Sequence, residues 1–332
     1  MDKILIAGAT GYLGEYITRE LIKRNYNTKV LVRSPEKFKE YDINSEEIVH
    51  AEITDKPSLK NCCKGIDTVI SSVGITKQKD GLTYMDVDYQ ANKNLLQEAK
   101  QCGVKKFIYV SVLNGEKLKK LKICEAKEKF VEELKKSGLE YCIIRPNGFF
   151  SDMTEFFNMA KSGRIYLFGS GELKSNPIHG EDLAKVCVDA IEKSEEEIEI
   201  GGPETLSQNE IAKLAFETVG KTPKITYIPD WIRRAVLRTA RVFLDSKRFG
   251  PIEFFMNVMA IEMIAPEHGK HTLKDYFNRG LLSFSPRASI QRFAISRESM
   301  IVVIPEKRHP SLAHKLIFAK ICPHFLSFSA HY

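Results

Sequence analysis

Seven residues near the amino end carry the most legible chemistry in this sequence. They are Gly8-Ala9-Thr10-Gly11-Tyr12-Leu13-Gly14, set between the apolar run Ile4-Leu5-Ile6-Ala7 and an amphipathic stretch. Gly8 permits a tight turn, Gly11 lets main chain come close to a ligand, and Gly14 lets a following helix pack against the strand. A helix starting here leaves its first amide hydrogens without partners and turns its positive dipole end outward, which suits the diphosphate of a dinucleotide. Thr10, Tyr12 and Leu13 sit within that turn and share its contact with the phosphates. The spacing is Gly-x-x-Gly-x-x-Gly rather than Gly-x-Gly-x-x-Gly, so the strand before it and the helix after it must support the inference.

A second position reads the nucleotide more finely. The run Lys29 to Val32 ends in Arg33-Ser34. A site for an unphosphorylated ribose wants a carboxylate here, whereas a cation with a hydroxyl suits a 2′-phosphate. NADP(H) rather than NAD is therefore the expected cofactor. Asp55, after Ile53-Thr54, is placed to accept from an adenine amino group, and Val73-Gly74 ends the fourth apolar run beside the expected cofactor path.

These residues need a frame, and the pattern supplies one. Strand-like runs at 4–6, 29–33, 48–51, 68–73, 107–110 and 141–144 alternate with helical patterns at 12–24, 89–102 and 125–137. Alternation of this kind builds right-handed βαβ units and a parallel sheet. The expected fold is α/β, a Rossmann-type doubly wound parallel sheet of about six strands with a smaller C-terminal substrate-side region. Residues 1–150 form the dinucleotide-binding domain and 151–279 the substrate side, in which Ser207 with Glu210 spells a capping box. Within it, a basic amphipathic stretch (Trp231, Arg233, Arg234, Arg238, Arg241) precedes a Phe/Met-rich helix, Phe254 to Met263. Met and Phe at spacings of three and four suit core or lid packing first, and a lipophilic substrate pocket or membrane-surface contact second.

Composition narrows the partners. Of the formal charge of +7, five units fall in the last 53 residues, which hold seven Lys/Arg against two Asp/Glu. A nearly neutral body excludes a general reader of nucleic acid backbone. The seven cysteines are scattered without a Cys-x-x-Cys pair, so neither a redox centre, a zinc site nor any other metal is expected. No run is long enough to span a membrane. With Lys3 to Ala7 already strand-like, no leader is read, and the protein is expected to be cytoplasmic. Residues 280–332, with eight of the serines and four of the eight histidines, form an atypical basic tail to which no chemistry is assigned.

The glycine motif, Tyr109-Val110-Ser111 at a strand end, Ala126-Lys127 in a helix, and Ser137 to Pro146 together resemble the atypical short-chain dehydrogenase/reductase family. The NmrA-like and divinyl-chlorophyllide-reductase-like NAD(P)-binding members are the most similar. Ile178 to Ala184 and Ile200 to Pro203 match elements of that family's C-terminal half, so the resemblance covers about residues 1–279. It implies a Ser-Tyr-Lys site: a serine polarising a carbonyl, a tyrosine delivering the proton, and a lysine tuning the tyrosine and holding the nicotinamide ribose. Ser111 and Lys127 match as catalytic residues, Lys127 also as a cofactor ligand. Pro146 and Gly148 match the nicotinamide end.

The tyrosine does not match: Ile123 stands four residues before Lys127, and the literal Tyr89-x-x-x-Lys93 lies before the Ser111 strand. Two readings follow. One is a reductase of an activated C=C or C=O bond on a small or lipophilic substrate, its proton coming from Lys127, water, Tyr141 or His179. The other is a non-catalytic NADP(H)-binding redox sensor or assembly factor that grips a protein partner. His179, before Gly-Glu-Asp, also suits a helix cap.

Overall fold

The computed structural model describes residues 2–283, except 40, 42, 44–46, 76, 77, 79 and 80. The expected tail therefore lies, from 284 on, outside the described residues. Strands β1 (Lys3–Ala7), β2 (Asn27–Val32), β3 (Glu47–His50), β4 (Thr68–Ser71), β5 (Lys106–Val110) and β6 (Glu140–Pro146) alternate with α1 (Tyr12–Lys23), α2 (Pro35–Lys39), α3 (Asn92–Gln101) and α4 (Lys122–Lys135). The order across the sheet is β3-β2-β1-β4-β5-β6, every pair parallel, and then a seventh strand, β9 (Glu197–Ile200), pairs with β6, also in parallel.

Side-chain alternation explains why the central strands read as unbroken apolar runs. In β1, Leu5 and Ala7 enter a core with Leu95, Phe130 and Val131 from α3 and α4. Ile4 and Ile6 enter the opposite core with Ile17 and Leu21 of α1. A strand buried on both faces has no polar side to show. In β5 the same alternation sends Phe107 and Tyr109 toward α4, and Ile108 and Val110 toward α1.

Beyond residue 150 the chain runs α5 (Thr154–Lys161), β7 (Ile165–Phe168), β8 (Lys174–Ser175), α6 (Gly180–Asp189), β9 (Glu197–Ile200), β10 (Leu206–Ser207), α7 (Gln208–Thr218), β11 (Ile225–Ile228), α8 (Asp230–Phe243), α9 (Ser246–Val258) and α10 (Leu273–Ser283). Two of these serve the main sheet: β9 extends it, and Leu183, Ala184 and Cys187 of α6 join the core beside α1. Thus the sheet has seven strands rather than six, and its last strand comes from beyond the expected boundary at 150. The remainder packs on its own cluster of Phe156, Phe157, Phe216, Leu273 and Phe277. Ser207 caps α7 with the full capping box.

The helix expected from 89 to 102 starts earlier and differently. Residues Met85–Ala91 form a π-helix that runs directly into α3. Its i→i+5 bonding widens the turn and breaks the 3.6-residue rhythm by which helices are recognised.

Candidate functional site

At the carboxyl end of β1 the glycines do three different jobs. Gly8 has φ +91°, and a Cβ there would fall 2.7 Å from Ser72 Oγ. A Cβ on Gly14 would overlap the Gly8 carbonyl, so this position is where helix and strand approach most closely. Gly11 donates its own amide to Gly8 O at 2.9 Å, which closes the turn and leaves the next amides, Tyr12 and Leu13, at the open end of α1. No side chain among the described residues caps that end. Leu13 is buried in the core, so only its main chain is offered to a ligand.

The Tyr12 side chain is committed elsewhere. Its hydroxyl accepts from Gly180 N at 3.1 Å and ties α1 to the start of α6, while burial drives the phenol well above its ordinary pKa. Thr10 contributes its carbonyl to Tyr41 Oη at 3.2 Å.

The residues expected at the far end of the cofactor are at the surface. Arg33 keeps 66% of its side chain exposed, with Glu52 Oε2 3.9 Å from its guanidinium. Glu52 went unnoticed in the sequence; its carboxylate is what a ribose hydroxyl wants and a 2′-phosphate does not. Ser34 Oγ donates to Glu36 Oε2 at 3.2 Å. Asp55 is exposed and precedes a 3₁₀ turn, Lys56–Leu59, without a side-chain cap bond.

At the carboxyl ends of β4 and β5 a buried ionic group comes together. Lys127 Nζ lies 3.0 Å from Asp88 Oδ1; the lysine keeps 13% of its side chain exposed and the aspartate none. Asp88 comes from the π-helical segment and accepts from Ile75 N at 3.2 Å. Both side chains border Gly74: a Cβ there would stand 2.6 Å from Asp88 Oδ1 and 2.9 Å from Lys127 Nζ. Tyr109 brings its ring to 5.5 Å from the same ammonium.

Burial raises the Asp88 carboxyl against the pull of Lys127. It would lower Lys127, but Tyr109 and Asp88 outweigh it and hold the ammonium above its usual value. Tyr109 is pushed up to about 12 by burial, with Lys127 opposing. Asp88 Oδ1 and Tyr109 Oη have no hydrogen-bond partner among the described residues, so the 3.0 Å ion pair is off the line a hydrogen bond requires. Two buried oxygens that meet the Lys127 ammonium beside a glycine gap suit a further polar group lying over Gly74.

Ser111 sits one residue past β5, and its hydroxyl donates to Glu128 Oε1 at 3.3 Å. Glu128 is also gripped by Arg145 at 2.5 and 3.0 Å, and Arg145 reaches Glu197 of β9 as well. Of the other proton donors considered, Tyr141 is displaced by its position. It lies at the amino end of β6, opposite Phe107, and its hydroxyl donates to Glu196 at 2.8 Å. Tyr89 and Lys93 bond each other and Glu133 instead of facing Gly74. Ile123 is buried in the α4 core.

His179 caps α6: its Nδ1 accepts from Glu181 N at 3.2 Å, and burial, aided by His271, lowers its pKa to about 4. With Glu181 and His271 it brings ligand atoms within 4.8 Å of one another. The two imidazoles are stacked, 4.3 Å apart and 25° from parallel, so their in-plane lone pairs do not converge. His271 Nδ1 is held by Asp182 at 2.9 Å, and Asp182 also accepts from the Lys270 and His271 amides, so the group clamps the 268–272 segment.

Past Pro146, Asn147 and Gly148 border a cavity lined by Met153, Leu173, Val258, Met259, Ile261 and Met263. Its floor is stitched by Asn176, which accepts from Asn147 Nδ2 at 2.7 Å and exchanges hydrogen bonds with Ala265. Gly148 has room around it: a Cβ there would meet nothing nearer than Asp152 Oδ2, at 3.7 Å. Met259 and Met263 thus face the cavity, while Met256 packs with Phe168 and Ile228. No helix among the described residues is long and apolar enough to cross a membrane.

Residues 8–194 match a family model described as NAD(P)H-binding. Divinyl chlorophyllide a 8-vinyl-reductase, chloroplastic, of Arabidopsis thaliana is 27% identical over 317 residues, covering 82% of this chain and 75% of that protein. Photosystem II assembly factor Ycf39 of Synechocystis is also 27% identical, over 250 residues, 73% of this chain and 74% of that one. Among solved structures, the NADPH-dependent quinone oxidoreductase QOR2 of Escherichia coli, complexed with NADPH, superposes with a TM-score of 0.66 at 18% identity, over 84% of this chain and 99% of its own. An isoflavone reductase gives 0.65 at 20% identity, over 84% and 99%. At these identities the solved structures speak for the Rossmann fold alone.

Proposed function

The chain belongs to the NAD(P)H-binding family, and from that premise we propose that it is an NADP(H)-dependent oxidoreductase acting on an activated C=C or C=O bond of a small or lipophilic substrate. The observation that carries this reading is the buried Lys127–Asp88 pair beside Gly74 at the carboxyl edge of the sheet, with the Tyr109 ring 5.5 Å from the same ammonium. Residues 1–150 hold the cofactor in this proposal, and 151–279 hold the substrate.

We assign the Tyr12 and Leu13 amides, with Gly8, Thr10, Gly11 and Gly14 shaping the loop, to the diphosphate. Arg33 and Ser34 take the 2′-phosphate, Asp55 the adenine amino group, and Val73, Gly74 and Lys127 the nicotinamide ribose. Pro146 and Gly148 flank the nicotinamide, beside the apolar cavity. When bound, the cofactor supplies the hydride. Lys127 delivers the proton that completes the reduction; the neutral Tyr109 phenol passes its own proton to Lys127 and is reprotonated from solvent through the partly exposed Lys127 once the product has left. Ser111 orients the acceptor end of the substrate by exchanging its Glu128 bond for one to a substrate oxygen. Tyr109 thereby stands in for the phenol missing at Ile123, arriving from a strand instead of the helix.

The test is NADPH oxidation against enones, quinones and a vinyl-bearing chlorophyllide, the group named for the plant relatives. Turnover with one class, lost in Lys127→Met, is the expected result; micromolar NADPH binding with no turnover on any would overturn it. The second reading is a non-catalytic NADP(H)-binding assembly factor. It is favoured by the buried Ile123 and by the equal identity to an assembly factor. A cytoplasmic setting remains part of the first proposal, and cell fractionation checks it against the chloroplastic relatives.

A further inference from the structure

Helix α8 is anchored by one face and bare on the other. Its inner face, Ile232, Val236 and Leu237, packs with Phe168, Ile228 and Met256. Arg233 is buried and pinned by Asp230 at 2.6 Å and Asn257 at 3.1 Å, so the helix cannot roll. Outward, at spacings of three and four, stand Trp231, Arg234, Arg238 and Val242, with Arg241 alongside and Phe243 overhanging the end. Trp231 is 62% exposed, Val242 77% and Phe243 83%, the three most exposed large apolar side chains among the described residues. Arg234 shares Asp230 with Arg233, whereas Arg238 and Arg241 form no ion pair among the described residues.

We propose that this face docks on an anionic lipid bilayer, with Trp231, Val242 and Phe243 entering the headgroup layer and Arg238 and Arg241 meeting lipid phosphates. Charge complementarity selects the occupant: a basic helix with aromatic and aliphatic tips and one acid is built for a negative interface. The face is a single convex stripe, roughly 16 Å from Trp231 to Val242. One helix diameter of about 10 Å makes that roughly 160 Å², well short of the ~800 Å² per partner of a stable protein complex, whereas a bilayer needs only shallow insertion. Nucleic acid would call for basic residues well beyond this helix, whereas positive and negative charges nearly balance over residues 1–279.

Trp231 is the only tryptophan in the chain, so its fluorescence reports this helix alone. With the full chain, vesicles of phosphatidylcholine mixed with phosphatidylglycerol are expected to co-sediment the protein, shift its emission to the blue and expose it to quenching by brominated acyl chains. Vesicles of phosphatidylcholine alone, inorganic phosphate and single-stranded RNA are expected to do none of these. Arg238→Gln with Arg241→Gln should lower partition about 30-fold while the melting temperature and NADPH affinity hold. Phe243→Ser should reduce quenching with the same melting temperature. Sedimentation without brominated-lipid quenching, equal binding to neutral vesicles, a blue shift with RNA, or a double variant that partitions unchanged would each overturn the proposal.

Discussion

Gly74→Ala puts the proposed cofactor geometry to its sharpest test. The new methyl would lie 2.6 Å from Asp88 Oδ1, about 0.8 Å inside ordinary van der Waals contact. Asp88 has no exposed surface into which to retreat, and it is tethered to Ile75 N and Lys127. The lysine can swing; the aspartate cannot. Overpacking of this kind costs about 1–3 kcal/mol, a fall of several degrees in melting temperature for a chain of this size. The same methyl fills the space proposed for the nicotinamide ribose and pushes Lys127 away from it, so NADPH affinity should fall by about one to two powers of ten. Gly148→Ala is the control for stability, since a Cβ there meets only Asp152 Oδ2 at 3.7 Å. Calorimetry with NADPH and thermal unfolding of both variants decide. If Gly74→Ala binds NADPH as the parent does and melts at the same temperature, the placement of Asp88 and Lys127 around that glycine is wrong.

Other consequences can be checked alongside. Arg33→Asp should weaken NADPH more than NADH, by about 1–3 kcal/mol for the lost charged contact; equal losses would remove Arg33 from the 2′-phosphate. Tyr109→Phe deletes a hydroxyl without a described partner, so stability should hold within ~1 kcal/mol while turnover drops and its pH profile moves; an unchanged profile would dismiss the phenol as a proton source. Burial pushes the Glu155 carboxyl up to about 7. A raised carboxyl adds stability that is complete below its unfolded value, about 4.3, and is lost as pH rises through about 7. Discounted for partial solvent screening, Glu155→Gln should gain on the order of 1–2 kcal/mol at pH 8 relative to its effect at pH 4, read by urea titration. An effect independent of pH would show that the carboxyl titrates normally.

The first six strands and the glycine turn were legible because each depends on local pattern: continuous apolar runs for a sheet covered on both faces, and glycine where the backbone turns at φ +91°. β9 was not. It is an edge strand with the sequence Glu-Ile-Glu-Ile in which only Ile200 is buried, so it carries no continuous apolar run. Its Glu197 becomes meaningful only once Arg145 is beside it. Asp88 was hidden for a different reason, because the π-helix around it has no 3.6-residue period. Tyr109 could have been found: it is two residues before Ser111, and period-two alternation puts it on the α4 face with Lys127. The Tyr141 expectation failed on strand direction, since a residue at the amino end of a parallel strand lies away from the ligand edge.

On the proposed assignment of the substrate side, Asn176 bears on which molecules the cavity would take. One amide side chain, fully buried, is shared by Asn147, Gly202 and Ala265, and so rivets the ends of β6 and β9 to the 263–265 segment. That floor inherits the stiffness of the sheet. Accommodation of a bulkier molecule must come from the facing wall, Val258, Met259 and Ile261, where a thioether and branched aliphatics re-pack at small cost. If the cavity holds the substrate as proposed, tolerance for shape is one-sided, and selection for a wider substrate should accumulate changes at 258–261 long before it touches Asn176.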